Sequence, residues 1–293
     1  MKIKKSYQLF GFPLDFGVKK SLDVAKDAGF DAVEINLRGE GDLTLGTTKK
    51  ELKNMYDYAD SIGMKISSIA TELVWAYPIT SGDKTKVRQA DIIVEKMIEA
   101  AGYLKAETIL LIPGLVHTDL KGVVSPEVSI SPEKIPYDIV YGRSIEKLKE
   151  YGKMAEGSGL VIGVENVFWT KFLLSPLELV KYIDEIGLGT VKAYLDVGNC
   201  LMCGVPEHWI KMLGRNRLQA LHLKDLDTSI ANFNGFKSLL AGDVDWEAVY
   251  KELDDIDYQG YVTYEGFKIY RYYPEEQAYS ASRAIDRIFR LRK

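Results

Sequence analysis

Four residues of metal-binding type stand at the ends of four apolar, strand-like segments: Glu165 in VIGVEN, Asp196 in VKAYLDVGN, His222 in LQALHLKD and Glu265 in YVTYEG. Successive members are one strand-plus-helix unit apart, and a long loop stretches the last interval. A parallel barrel brings such strand ends to neighbouring positions around one mouth. Three carboxylates and an imidazole then converge. Carboxylates at short range raise one another's pKa unless a cation lies among them. A single divalent metal ion removes that conflict. Oxygen donors with one nitrogen suit manganese best, with magnesium, cobalt or zinc also accommodated. Taken singly, each residue has a plainer reading: a lone histidine among leucines is most often a satisfied core residue, and a lone acid caps a helix or pairs with a lysine. The argument rests on the set, because buried acids are rare unless paired or coordinated.

The elements that must position these residues are legible along the whole chain. Strands are predicted over residues 7–13, 32–37, 65–71, 108–114, 160–166, 191–199, 218–225 and 260–266. Several, such as TILLIPG and LVIGVEN, are near-continuous apolar runs, as parallel strands buried on both faces should be. Between them the apolar period changes to that of a helix. Val87, Ala90, Val94, Met97, Ile98 and Ala101 share one helical face, as do Trp246, Val249, Leu253 and Ile256. Ser175 before Pro176, with Glu178 in the first turn, marks a helix start, and Asp245 marks another. The pattern predicts an α/β fold, one (β/α)8 TIM barrel spanning residues 1–293. Its longest loops, near 115–137 (with SPEVSISPEKIP at 125–136) and 226–244, would lie over the catalytic face as lids.

Composition bounds the function. The 293 residues are 46% hydrophobic and 27% charged, ordinary for a globular chain with a large core. No apolar run approaches the roughly 18 residues of a membrane span, and the N-terminus lacks the apolar core of a secretory signal. The net charge is −4 and the basic residues are scattered, which argues against a nucleic-acid partner. The two cysteines, Cys200 and Cys203 of CLMC, are too few for a disulfide framework and are expected reduced and partly buried. A cytoplasmic location is the natural expectation.

The segments GVEN, LDVGN, HLKD, GDVDW and YEG, together with AGFDAVEI near the N-terminus, occur in an order and spacing that resembles the xylose isomerase-like barrel superfamily. The likeness is strongest to its sugar and sugar-phosphate isomerase/epimerase branch, which includes tagatose/psicose 3-epimerases and L-ribulose/L-xylulose-5-phosphate 3-epimerases. The resemblance implies that Glu165, Asp196, His222 and Glu265 bind a divalent metal, and that Glu165 and Glu265 serve also as an acid/base pair. One would take the proton from the carbon beside the carbonyl and the other would return a proton on the opposite face. The implied partner is a small sugar or sugar phosphate, and a homo-oligomer is compatible with the family.

Departures from the pattern bear on the substrate. Free-ketohexose epimerases carry a histidine three residues after the aspartate ligand and an arginine beyond the histidine ligand. This chain has Asn199 and Thr228 there, with Lys224 and Asp225 directly after His222. That turns the expectation toward a pentulose or hexulose phosphate, with Lys171, Lys224, Lys268 and Arg271 as candidate phosphate partners. Lys224 either holds a substrate oxygen or pairs with Asp196 or Asp225 as a supporting charge. Asn199, Lys224, Asp225, Glu72, Trp75, Trp169 and Arg271 are the expected substrate contacts, with Asn36 and Phe168 further candidates. His117 is either a substrate contact or a surface loop residue, and His208 is structural.

Competing functions share the scaffold. A lyase of the inosose-dehydratase kind would begin with the same proton abstraction and then expel a substituent. A degenerate barrel without catalysis would leave the mouth metal-free, and a barrel that works only with a partner chain is a further alternative. The trinuclear endonuclease IV site is excluded, since three histidines are too few for it.

Overall fold

The computed structural model describes residues 2–117, 130–230, 233–267 and 270–291. Eight parallel strands close into a barrel. In chain order the strands are β1 (Lys2–Gln8), β2 (Ala32–Leu37), β3 (Lys65–Thr71), β4 (Thr108–Leu111), β5 (Val161–Glu165), β6 (Val191–Asp196) and β7 (Leu218–Leu223). A short antiparallel pair, β8 (Asp225–Leu226) and β9 (Phe236–Lys237), precedes the last barrel strand β10 (Gln259–Tyr264), which pairs with both β1 and β7.

Helices cover the outside, and their starts follow the signals in the sequence. In α5 (Pro176–Ile186) the Ser175 side chain accepts from the Glu178 amide, and Leu179, Tyr182, Ile183 and Ile186 are buried. Burying each such side chain stabilises the fold by about 1.5–3 kcal/mol. Asp245 caps α8 (Trp246–Asp255) in the same way, turning Trp246, Val249 and Leu253 inward. Ala90, Val94, Met97 and Ala101 of α3 (Lys84–Leu104) are all buried. Among the described residues no helix is long and apolar enough to cross a membrane.

Several strands end earlier than expected, β4 at Leu111, β7 at Leu223 and β10 at Tyr264, and two further boundaries have a clear cause. The first strand is β1, Lys2–Gln8, and the apolar LFGFP segment that was expected to extend it turns instead into 3-10 helix at Leu9–Gly11. Charged KIKK reads as surface, yet Lys5 is buried: its ammonium bonds Ser282 and Asp286 of the last helix, α9 (Glu276–Ile288). The sixth strand stops at Asp196 because Oδ1 of that residue accepts from the Asn199 amide at 2.7 Å and caps a single helical turn, Val197–Cys200.

Inside the barrel the filling is layered. Ala70, Leu110, Tyr194 and Ala220 form a small apolar layer of their own, separate from the main core between sheet and helices. Gly163 makes room for the Tyr194 ring, since a Cβ there would lie 2.8 Å from the tyrosine Cβ. Because side chains two apart along a strand share a face, the inward positions one step toward the C-terminal mouth are Glu165, Asp196 and His222. The site therefore sits one step above this layer.

Candidate metal centre

Glu165 and Asp196 end their strands, His222 is next to last in β7, and Glu265 follows β10 directly. Register ties them together, since Asp196 is paired with His222 across β6 and β7. One ligating atom from each of the four residues lies within 4.8 Å of the others. The imidazole Nδ1 is 3.3 Å from Glu165 Oε1, 3.7 Å from Glu265 Oε2 and 4.0 Å from Asp196 Oδ2. The sequence-predicted quartet thus meets at one point.

Braces hold it there. The Asn166 side chain accepts from the Asp196 amide at 2.7 Å and donates to the Asp196 carbonyl, while Asn199 Nδ2 donates to the Asn166 carbonyl at 2.9 Å. The asparagines that end GVEN and LDVGN therefore lock two ligand strands to one another. On its other side, His222 Nε2 lies 2.9 Å from Glu34 Oε1, and Glu34 is wholly buried.

Lys224 supplies the positive charge that this cluster of acids requires. Its ammonium bonds Glu265 Oε2 at 2.6 Å and lies 2.8 Å from Asp196 Oδ2, the latter an ion pair without hydrogen-bond alignment. Of the two roles open to Lys224, pairing with Asp196 is therefore present, and Glu265 rather than Asp225 is the second acid. Gly198 permits this approach, because a Cβ there would lie 2.7 Å from the Lys224 carbonyl. The ammonium is also covered by the rings of Phe236, Phe267 and Trp169, at 4.9, 5.4 and 5.8 Å.

The charges do not balance evenly. Burial pushes Asp196 up to about 8 despite Lys224, with Glu265 and Glu165 adding to the rise. Burial likewise raises Glu165 against the pull of His222. Glu265 goes the other way: Lys224 and His222 outweigh its burial and hold it down at about 2. His222 is itself raised, since Glu34 and Glu165 overcome its desolvation. These residues fit a divalent cation on chemical grounds. Three carboxylates and one imidazole nitrogen converge, two of the acids resist ionising where they stand, and Asp196 Oδ2 is buried without a hydrogen bond. A metal would be held by Glu165, Asp196, His222 and Glu265.

A cleft of about 160 Å³, open at the strand C-termini, contains three of these ligands, Glu165, His222 and Glu265, along with Lys224. Glu72, Trp75, Trp169, Asn36 and Asn199 line it as expected, joined by Gln8, Phe10 and Phe267. Glu72 is braced from behind by Arg38 Nε at 3.2 Å. Phe168, His117 and Lys171 are not part of this lining, and His208 is exposed on the helix Pro206–Arg217. Cys200 is buried, Cys203 half-buried, and both are free thiols.

Two expected substrate contacts lie elsewhere. Asp225 is fully buried and spent on the chain itself, accepting from the amides of Leu226, Leu240 and Val244 and from Trp246 Nε1. It closes the loop that begins with HLKD onto GDVDW, and so seats β9, whose Phe236 stacks on Phe267 at 4.2 Å. Arg271 is exposed and packs on Tyr272 rather than entering the cleft. Lys268 lies outside the described residues, as do 118–129 and 231–232 of the two long loops. We expect Asp225→Asn to lower stability by about 2–4 kcal/mol, because two of its four N–H donors then face an NH2 group. Urea unfolding checks this, together with faster hydrogen exchange at the Leu240 and Val244 amides.

No local mark in the chain singles out Glu34 or Gln8. A glutamate inside AVEINL and a glutamine at the end of β1 look like isolated polar residues until the barrel closes and brings them beneath His222.

A family model described as xylose isomerase-like TIM barrel matches residues 22–288. The chain is 25% identical over 251 residues to a D-psicose 3-epimerase of Enterocloster bolteae, covering 85% of this chain and 76% of that one. It is 23% identical over 256 residues to an L-ribulose 3-epimerase of a Methylomonas species, covering 86% and 79%. A crystal structure of the IOLI protein with a binding zinc atom superposes with a TM-score of 0.78 at 16% identity, over 98% of each chain. With the closed barrel and the four strand-end residues in place, the match over nearly the whole length has one reading: this chain belongs to the xylose isomerase-like TIM barrel family.

Proposed function

We propose that this protein is a divalent-metal-dependent ketose 3-epimerase acting on an unphosphorylated ketose, with Glu165 and Glu265 as its acid/base pair. The observation that carries the reading is the placement of those two carboxylates. Glu165 ends β5 and Glu265 follows β10, on either side of the strands bearing Asp196 and His222, and both line the cleft. Lys224 bonds Glu265 and favours its ionised form, which suits it to act as the base. Two carboxylates addressing opposite faces of a planar intermediate are what inversion at carbon requires. The 3-epimerases among its relatives support the same class.

When bound, the metal would polarise the ketone and so acidify the neighbouring C–H. The remaining work falls to the chain. Glu265 takes the C3 proton, giving an enediolate, and Glu165 delivers a proton to the opposite face. Lys224 keeps Glu265 charged and near-stationary between turnovers. Trp169 and Phe267 wall the cleft, and with Phe236 they cover the ammonium and limit water around it.

The cleft also favours a neutral polyol. Gln8 and Asn199 line it with amide groups, which exchange hydrogen bonds with the hydroxyls that ketoses carry along their length, while Glu72, Glu165 and Glu265 on the same lining disfavour a phosphate. Among the described lining residues Lys224 is the sole lysine or arginine, and two acids already hold it. We expect kcat/KM for a free ketopentose or ketohexose to exceed that for its terminal phosphate by about 100-fold or more, the cost of leaving such groups mismatched. Parallel assays of both substrate series with manganese-loaded protein test this, and a preference for the phosphates would overturn it. Water loss from the substrate instead of epimerisation would establish the lyase.

A further inference from the structure

Glu34 lies outside the ligand quartet and outside the cleft lining, yet both of its oxygens are fully engaged. Its Oε1 accepts from Gln8 Nε2 at 2.7 Å and meets His222 Nε2 at 2.9 Å. Its Oε2 accepts from Ser68 Oγ at 2.7 Å and from the Tyr194 hydroxyl at 2.9 Å. The Tyr194 hydroxyl reaches Thr263 Oγ1 as well, and its ring lies against the His222 imidazole with centroids 4.7 Å apart. Strands β1, β2, β3, β6 and β10 all contribute to this one carboxylate and the ring beside it.

An ionised carboxylate offers lone pairs only. The imidazole nitrogen facing Glu34 must therefore carry a proton, since an unprotonated Nε2 would set lone pair against lone pair in a buried place. With the proton fixed on Nε2, the neutral ring has its lone pair on Nδ1, the atom directed among Glu165, Asp196 and Glu265. Resting on the metal-dependent reading above, we infer that Glu34 is a positioning residue that sets both the tautomer and the rotation of His222, so that Nδ1 is the ligating atom before any metal arrives. Ser68 and Tyr194 steady the carboxylate from below. Gln8 links it to the cleft, because the residue whose amide donates to Glu34 is also one of the cleft's lining residues. A purely structural acid would need no such alignment with a ligand ring.

The first test needs no variant. The chain has three histidines, so 15N histidine labelling of the zinc-loaded protein gives a readable spectrum. The expected result is a protonated Nε2 and a metal-shifted Nδ1 for His222. A His222 ligating through Nε2 overturns the inference. The second test compares metal affinity, by competition with a chelator, for the wild type and Glu34→Gln, whose folds are checked by circular dichroism. An affinity loss of about 10–100-fold is expected, as for other partners behind a metal-bound histidine, together with an altered visible spectrum of the cobalt-loaded protein. A folded Glu34→Gln whose affinity falls less than about threefold, below that range, overturns the inference while leaving the metal site standing. Failure of the wild type to bind manganese, cobalt or zinc sinks the metal reading, and this inference with it.

Discussion

Glu165→Gln and Glu265→Gln should each slow epimerisation by about 10²–10⁴-fold, the usual worth of a positioned acid or base. The two losses should differ in kind. With Glu165 replaced, Glu265 still reaches one face of C3, so solvent deuterium should enter one epimer without inversion. With Glu265 replaced, the exchanging epimer should be the other one. Glutamine keeps an oxygen for the metal, so metal content, measured in the same samples, separates lost chemistry from lost ligand. Product analysis after incubation of each pure epimer in D2O provides the check. Equal loss of exchange from both epimers in both variants would remove the two-face arrangement, and undiminished epimerisation in either would remove that carboxylate from the reaction.

The second large effect is the dependence of metal binding on pH. Asp196, raised to about 8 by burial against the neighbouring acids, takes up a proton far above the ordinary aspartate range in the metal-free protein, and His222 is raised as well. Binding must expel such protons. Affinity should therefore climb with pH by about tenfold per unit for each proton released, flattening near the Asp196 value for that group. Stability follows with the opposite sign in the metal-free state. A carboxyl whose folded pKa lies above its unfolded one binds more protons when folded, so its effect on stability worsens as pH rises from the ordinary aspartate range toward 8. The raised His222 adds to this, because its contribution is complete below the ordinary histidine range and is lost as pH climbs through its folded value. The low Glu265 contributes stability that is lost as pH falls from the ordinary glutamate range to about 2. Thermal unfolding at a series of pH values should show the metal-free protein weakening from about pH 6 to 9, around the ordinary histidine range and above it. Saturating manganese should remove most of that slope. A flat metal-free profile, or an affinity independent of pH, would show that the acids are not competing for protons as described.

What the sequence revealed, and what it hid, follows from the range over which each interaction acts. Glu165, Asp196, His222 and Glu265 were legible because each ends its own apolar run, and closing a parallel barrel turns four separate ends into one mouth. The caps at Ser175 and Asp245 were legible for the same local reason, since their partners lie three residues on. The first strand was misplaced because Lys5 is buried against Asp286, at the far end of the chain, and no local pattern shows that a lysine will point inward. Asp225 looked like a substrate contact because it follows His222, whereas its partners at Leu240, Val244 and Trp246 become neighbours only when the loop folds back. Glu34 is the deepest case. Its meaning depends on donors from β1, β3, β6 and β7 that meet only inside the closed barrel. The phosphate expectation rested on basic residues near the mouth, and of the described ones only Lys224 enters the cleft, already held by acids.

The most direct measurement is proton exchange at C3. The manganese-loaded protein is incubated in D2O with a panel of free ketopentoses and ketohexoses, and the sugars are then examined by mass spectrometry and NMR. One deuterium at C3 of a sugar that is otherwise unchanged in composition, with the C3 epimer appearing alongside and both lost on metal removal, is the result expected. No deuterium in any ketose, from protein shown to hold its metal, would contradict the proposed reaction and leave only the barrel and its binding site.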